Sequence, residues 1–197
     1  MFVLRFDLRI PPFVESLTHG DQYREFLKMV EWADDKGFAA VVLSEHHGTE
    51  DGYMNSPLLI AGSVLGATNN LFCSVSALLL PLHDQLRIAE EIATIDLIAP
   101  GRFNVVMGIG YRESEFEMFD KNRKTRGKDT EEAIRTILTA LRGEPFEYKG
   151  REVLISPKPV SAPSSLISVG GSVEISATRA ARLGLPFVPA VRDESLE

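Results

Sequence analysis

The stretch Leu71–Met107, LFCSVSALLLPLHDQLRIAEEIATIDLIAPGRFNVVM, decides the fold. Leu71–Leu80 is a short apolar run of the kind a buried strand carries. His83 or Asp84 then opens a helix in which Leu86, Ala89, Ile92, Ala93 and Leu97 share one face, and Pro100-Gly101 ends it. Phe103–Met107 follows as a second apolar strand. Two strands joined by a helix lie parallel, and strands that are apolar on both sides need cover on both faces.

The same unit repeats in both directions. Upstream, Phe2–Leu8 and Ala39–Leu43 read as strands. Between them Asp21–Lys36 carries Phe26, Met29, Val30 and Ala33 at helical spacing and stops at Gly37. Ser56-Pro57 starts a helix that continues to Ala67. Downstream, Glu113–Gly127 is charged and less regular. A strongly periodic helix then turns Ala133, Ile134, Ile137, Leu138 and Leu141 inward and closes at Gly143. Pro145–Ile155 breaks the pattern with a hairpin turning at Lys149-Gly150, outside the parallel sheet. Leu166–Val169, a helix over Ser172–Leu183, and Phe187-Val188 resume the alternation. The expectation is an α/β, TIM-barrel-type (β/α) fold, incomplete, with about six parallel strands and a small hairpin insertion, since a closed barrel needs eight units. Residues 1–190 form one domain on this reading, and 191–197 a charged tail.

Composition narrows the partners. The 197 residues are 44% hydrophobic and 25% charged, with a formal charge of −7, which repels phosphate backbones and anionic lipid. Neither nucleic acid nor a membrane is expected as a partner. Cys73 is the single cysteine and lies in an apolar run, so it fills core volume, in keeping with a reducing cytoplasm. The N-terminus lacks the order of a signal peptide.

Chemistry gathers at the carboxyl ends of parallel strands. There, after the second strand, stands Glu45-His46-His47 within LSEHHGTEDG. Successive extended residues point to opposite sides, so one imidazole can face the mouth of the sheet while the other packs on a loop or holds its partner. A neutral histidine is a ready proton acceptor. The plain alternative is two loop histidines bonded to solvent or backbone. No metal site is expected, because adjacent histidines seldom chelate one ion and no further ligand spacing is evident. Gly108 and Gly110 in VMGIGYRESEFEMF either let a flat ligand approach the backbone or mark a tight strand exit, and no third glycine completes a dinucleotide fingerprint. SVGGSVEISATRAA, Ser168–Ala181, gives a strand, Gly170 and Gly171, Ser172 as N-cap and Ser176 one turn on. That is the shape of a phosphate cradle, or of an ordinary capped helix. Arg112, Arg179 and Arg182 are candidates to add positive charge. SALLLP, Ser76–Pro81, begins with small side chains that leave room for a ring system or simply pack the core.

Taken together, EHHGTEDGYMNSPLLIAGSVLGAT, LPLHDQLRIAEEIATIDLIAPGRF, GIGYRESEFEMF, RGEPFEYKG, PKPV and VGGSVEISATRAARLG resemble the bacterial luciferase-like flavin-dependent monooxygenase family, from the first strand to about Ala190. The resemblance implies a dimeric β/α barrel that binds reduced FMN at the carboxyl-end mouth and uses O2 to oxygenate a small organic substrate such as an aldehyde. A separate flavin reductase would supply the reduced cofactor. It implies His46 as the catalytic histidine, with Glu45 and His47 as its framework. Gly170, Gly171, Ser172 and Ser176 match the phosphate turn. The Ser76-Ala77 bond falls where relatives often have a cis peptide beneath the flavin. Related barrels use a deazaflavin for hydride transfer, which stays open, as does a non-catalytic flavin-binding or dimerisation module. Two departures stand out. Arg112 is displaced from the position of the flavin-phosphate arginine of luciferase itself, and relatives of ordinary length continue through two further strands, so the chain reads as a truncated member.

Overall fold

A computed structural model describes residues 1–190; the expected charged tail, 191–197, lies outside the described residues. In chain order the elements are β1 (Val3–Phe6), α1 (His19–Asp35), β2 (Ala40–Leu43), α2 (Pro57–Ala67), β3 (Phe72–Leu79), a 3-10 turn (Leu80–Leu82), α3 (Gln85–Ile98) and β4 (Phe103–Gly108). Then come α4 (Glu113–Met118), α5 (Arg126–Ala140), β5 (Phe146–Tyr148), β6 (Arg151–Val153), α6 (Pro163–Leu166), β7 (Ile167–Gly171), α7 (Glu174–Leu183) and β8 (Phe187–Pro189). Six strands form one parallel sheet in the order β1-β2-β3-β4-β7-β8, curled into a half-barrel. The β5–β6 hairpin stands apart and antiparallel, and Lys149 and Gly150 both take positive φ in its two-residue turn.

Helix ends follow local chemistry. Thr18 caps α1 by accepting the Asp21 N–H, so the helix begins at His19, two residues before the expected start, and Asp84 caps α3 by accepting the N–H groups of Leu86 and Arg87. The register stacks Leu43, Val75, Val105 and Ile167 in one fully buried row across the sheet. The alternate row runs from exposed Arg5 through half-buried Val42, Ser74 and Asn104. This corrects the expectation of strands apolar on both sides at this level of the sheet, while nearer the carboxyl ends Val106 and Ser168 are buried on that second face too. The α3 face is also corrected. Ile88 and Ile95 join Ala89, Ile92 and Ala93 in the core, whereas Leu97 is exposed. Asp96 is wholly buried instead, because it serves four donors on neighbouring loops. α4 is a helix in what reads as irregular sequence. Among the described residues no helix is long and apolar enough to cross a membrane.

Candidate functional site

Three strands deliver side chains to one end of the sheet. β2 exits into Ser44-Glu45-His46-His47, β3 into the 3-10 turn that ends before His83, and β4 into the loop leading to α4 and Glu115. Glu45 and Glu115 have no exposed side-chain surface. One oxygen of Glu45 takes both the His47 Nε2 (2.8 Å) and the His83 Nε2 (2.6 Å), and its other oxygen takes the Leu79 backbone N–H. Burial pushes the Glu45 carboxyl up, but hydrogen bonds from His47 and His83, the His83 charge and the Leu79 amide together outweigh it and hold the pKa at about 2. An ionised carboxylate only accepts, so both imidazoles donate from Nε2. Glu45, His47 and His83 place ligand atoms within 4.8 Å of one another, a grouping a cation could use; here hydrogen bonds among the three satisfy it.

The second carboxylate holds the second imidazole. Glu115 Oε1 is 2.7 Å from His46 Nδ1 and accepts the His47 backbone N–H at 3.0 Å, while its Oε2 is buried with no partner. With Nδ1–H donated to the carboxylate, His46 keeps Nε2 free as a proton acceptor. Tyr53 and Tyr111 meet its ring edge to face, at centroid distances of 4.7 Å and 5.6 Å, and fix its tilt. His47 packs edge to face on Phe119. Adjacent in sequence, the two histidines are therefore held by different carboxylates.

The remaining candidates line the same end. The Ser76–Ala77 peptide is cis, and the β3–β4 register shifts between Ser76 and Leu78. Gly108 abuts Ala77 so closely that a Cβ there would stand 2.8 Å from the Ala77 Cβ, and Gly110 takes φ +70° with its Cβ position 2.9 Å from the Phe116 ring. Both glycines thus serve a tight strand exit. Farther along the rim, Ser176 is buried and packs into the place a Gly171 Cβ would take, so only glycine allows that close approach. Ser172 is not the N-cap: Val173 occupies that position without a capping side chain, and Ser172 is exposed. The helix starts one residue later than its serine suggests, so its first-turn N–H groups have no side-chain cap. Of the basic candidates, Arg112 lies over Tyr111, Arg182 is exposed and pairs with Glu131, and Arg179 is buried between α5 and α7. A groove of about 730 Å³ between α2 and α3 reaches His83 but not His46.

Sequence reasoning missed His83 and Glu115. His83 has a signal, since it follows β3 as His46 follows β2; Glu115 is one acid among four between Glu113 and Asp120, and only the fold singles it out.

Comparison with known proteins gives this geometry a context. The sequence model of the luciferase-like monooxygenase family matches residues 4–196. The alkanal monooxygenase alpha chain of the Kryptophanaron alfredi symbiont is 26% identical over 179 residues, 88% of this chain and 50% of that protein. Among solved structures, monooxygenase RslO1 from Streptomyces bottropensis superposes with a TM-score of 0.81 at 24% identity, covering 95% of this chain and 59% of that one. The oxygenating constituent of 3,6-diketocamphane monooxygenase of Pseudomonas putida, solved with FMN, gives 0.75 at 20%, covering 95% and 56%. An F420-dependent secondary alcohol dehydrogenase with an F420-acetone adduct gives 0.75 at 18%, covering 95% and 57%. The chain spans about half the length of the curated relatives it matches.

Proposed function

The chain belongs to the luciferase-like monooxygenase family, and from that premise we propose that it is the flavin-binding part of an oxidoreductase that takes reduced FMN and O2 to a small organic substrate. The observation that carries this reading is the His46–Glu115 pair: a buried carboxylate bound to Nδ1 leaves the His46 Nε2 open as a proton acceptor at the carboxyl end of the sheet. The residues present fit a flavin. The Gly170–Gly171 turn and the uncapped start of α7 suit a phosphate. The unpartnered Glu115 Oε2 is a buried acceptor that a donor on the ring or substrate would satisfy.

Reduced FMN, when bound, supplies the electrons with which O2 is activated. His46 takes and returns the substrate proton at Nε2, and Glu115 holds the ring in the tautomer this needs. Glu45 fixes His47 and His83 around it. We place the protein in the cytoplasm as a homodimer fed by a separate flavin reductase. A second reading, deazaflavin-dependent hydride transfer, draws on the F420-dependent neighbour. Titration with FMN and with F420, followed by carboxylic-acid formation after mixing reduced FMN, O2 and an aldehyde, separates the two. The oxygenase reading expects FMN binding and an acid yield that His46→Ala lowers about 100-fold with unchanged flavin affinity. Flavin retention without oxygen-linked product would instead leave a non-catalytic binding module.

A further inference from the structure

One carboxylate at the rim is served by imidazoles and lacks a fixed positive partner. Glu45 has no exposed side-chain surface, and among the described residues its ion-pair partners are His47 and His83, both on Oε1, at 2.8 Å and 2.6 Å. A buried carboxylate with only neutral donors is short of positive charge, and an imidazolium or a metal ion completes it.

The donor set suits one class of cation. Two imidazole nitrogens and one carboxylate oxygen lie within 4.8 Å of one another. That mixture favours zinc and its d-block neighbours over calcium and magnesium, which surround themselves with oxygen. Glu45 Oε2 is taken by the Leu79 backbone N–H, so Oε1 alone faces the two rings. Tetrahedral zinc, with bonds of about 2.0–2.1 Å, sets its ligand atoms about 3.3 Å apart, so each of the two contacts need open by only about 0.6 Å. Each neutral ring then carries its hydrogen on Nδ1 and turns the Nε2 lone pair to the ion. Access comes through His83, whose side chain is 26% exposed and lines the groove between α2 and α3; an ion there keeps a fourth position for water. Sequence spacing hides the trio. His46 turns to Glu115 instead, and the second imidazole arrives from the exit of β3, 38 residues from Glu45.

We propose that Glu45, His47 and His83 bind one zinc-class divalent cation, which takes the place of the two hydrogens shared with Oε1 and ties the exit of β2 to that of β3. The inference goes beyond the flavin reading and does not depend on it.

The probes are the metal ions alone, added to the full chain after stripping with a chelator. Zinc is titrated in competition with a chromophoric chelator and cobalt(II) by its visible absorption, with magnesium as the control. Wild type is expected to take up one zinc per chain with a Kd of about 1 μM or tighter, to melt higher in zinc than in magnesium, and to give the intense visible bands of a low-coordinate cobalt ion. His83→Gln keeps an amide that can donate to Glu45 but is a poor zinc ligand. In chelator it should melt near wild type, while its zinc affinity falls at least about 100-fold. His47→Gln should lose zinc likewise. His46→Ala and His19→Ala, which remove imidazoles outside the trio, should keep it. An unchanged zinc affinity in both His83→Gln and His47→Gln, or a loss that follows His46→Ala or His19→Ala instead, overturns the proposal. A wild type that binds zinc no better than magnesium does so too, and leaves the two hydrogen bonds as the whole purpose of the cluster.

Discussion

The two ends of the sheet both bury carboxylates, and they use them differently. At the amino ends of the strands Asp34 accepts the backbone N–H groups of Asn69, Asn70 and Leu71, and Asp96 accepts those of Gly101, Val160 and Ser161 together with the Ser161 hydroxyl. Arg102 joins them by donating to the carbonyls of Leu65, Thr68 and Leu71. Most partners lie in the segments that lead into β3, β4 and α6, so these charges clamp the chain. At the carboxyl ends Glu45 and Glu115 bind three imidazoles, and one oxygen of Glu115 stays unmatched. What separates a structural acid from a chemical one here is its partner: a backbone amide does not change its charge near neutral pH, whereas an imidazole can take up or release a proton. That division agrees with the general separation of stability and catalysis between the two faces of β/α barrels.

If the division is real, the largest stability loss comes from the clamping end. Asp96→Ala removes the charged acceptor of four part-buried donors and should cost about 4 kcal/mol in urea denaturation. A loss below about 1 kcal/mol would erase the contrast. Next comes acid. The Glu45 carboxyl is held at about 2 against an ordinary 4.5. Its folded-state value is depressed, so its contribution is whole above about pH 4.5 and lost as pH falls toward 2. Two and a half pH units correspond to about 3 kcal/mol. Asp34 and Asp96 are lowered as well: burial opposes this, and backbone hydrogen bonds and, for Asp96, the Ser161 hydroxyl overcome it. All three therefore lose stability in the same direction. Glu45→Gln should flatten the acid limb of the stability profile measured by circular dichroism, leaving the part carried by Asp34 and Asp96. The smallest stability effect sharpens the contrast from the other end. Glu115→Gln keeps the shape of the side chain and should cost about 1 kcal/mol, yet lower oxygen-linked turnover about tenfold or more with flavin affinity unchanged. An equal loss of fold and rate would make Glu115 another clamp.

The fold was legible because its signals are local. Apolar strands, Asp84 ahead of α3, Pro57 at the start of α2 and Lys149-Gly150 in the hairpin each act within a few residues. Of the candidate site, Glu45, His46 and His47 were legible from their strand-end position, and the cis Ser76–Ala77 bond from the family resemblance. Glu115 lies 69 residues from His46, and His83 lies 38 from Glu45, so nothing in their spacing announces the contact. α4 escaped notice because its six residues carry three glutamates, and its stability comes from Phe116 packing against Leu79 and Leu82 rather than from a periodic apolar face. The two-sided apolar reading of the strands failed for a related reason: a run such as Val41-Val42-Leu43 cannot say whether its alternate residue meets a second layer or open solvent.

Cys73 has a practical consequence. The lone thiol sits wholly buried in β3, between Val41 and Phe103 in register, and burial pushes its pKa up to about 12. A thiol-specific dye meets no reactive sulfur until the central strands part, so labelling kinetics would clock opening of the core, one event per molecule, with no engineered reporter.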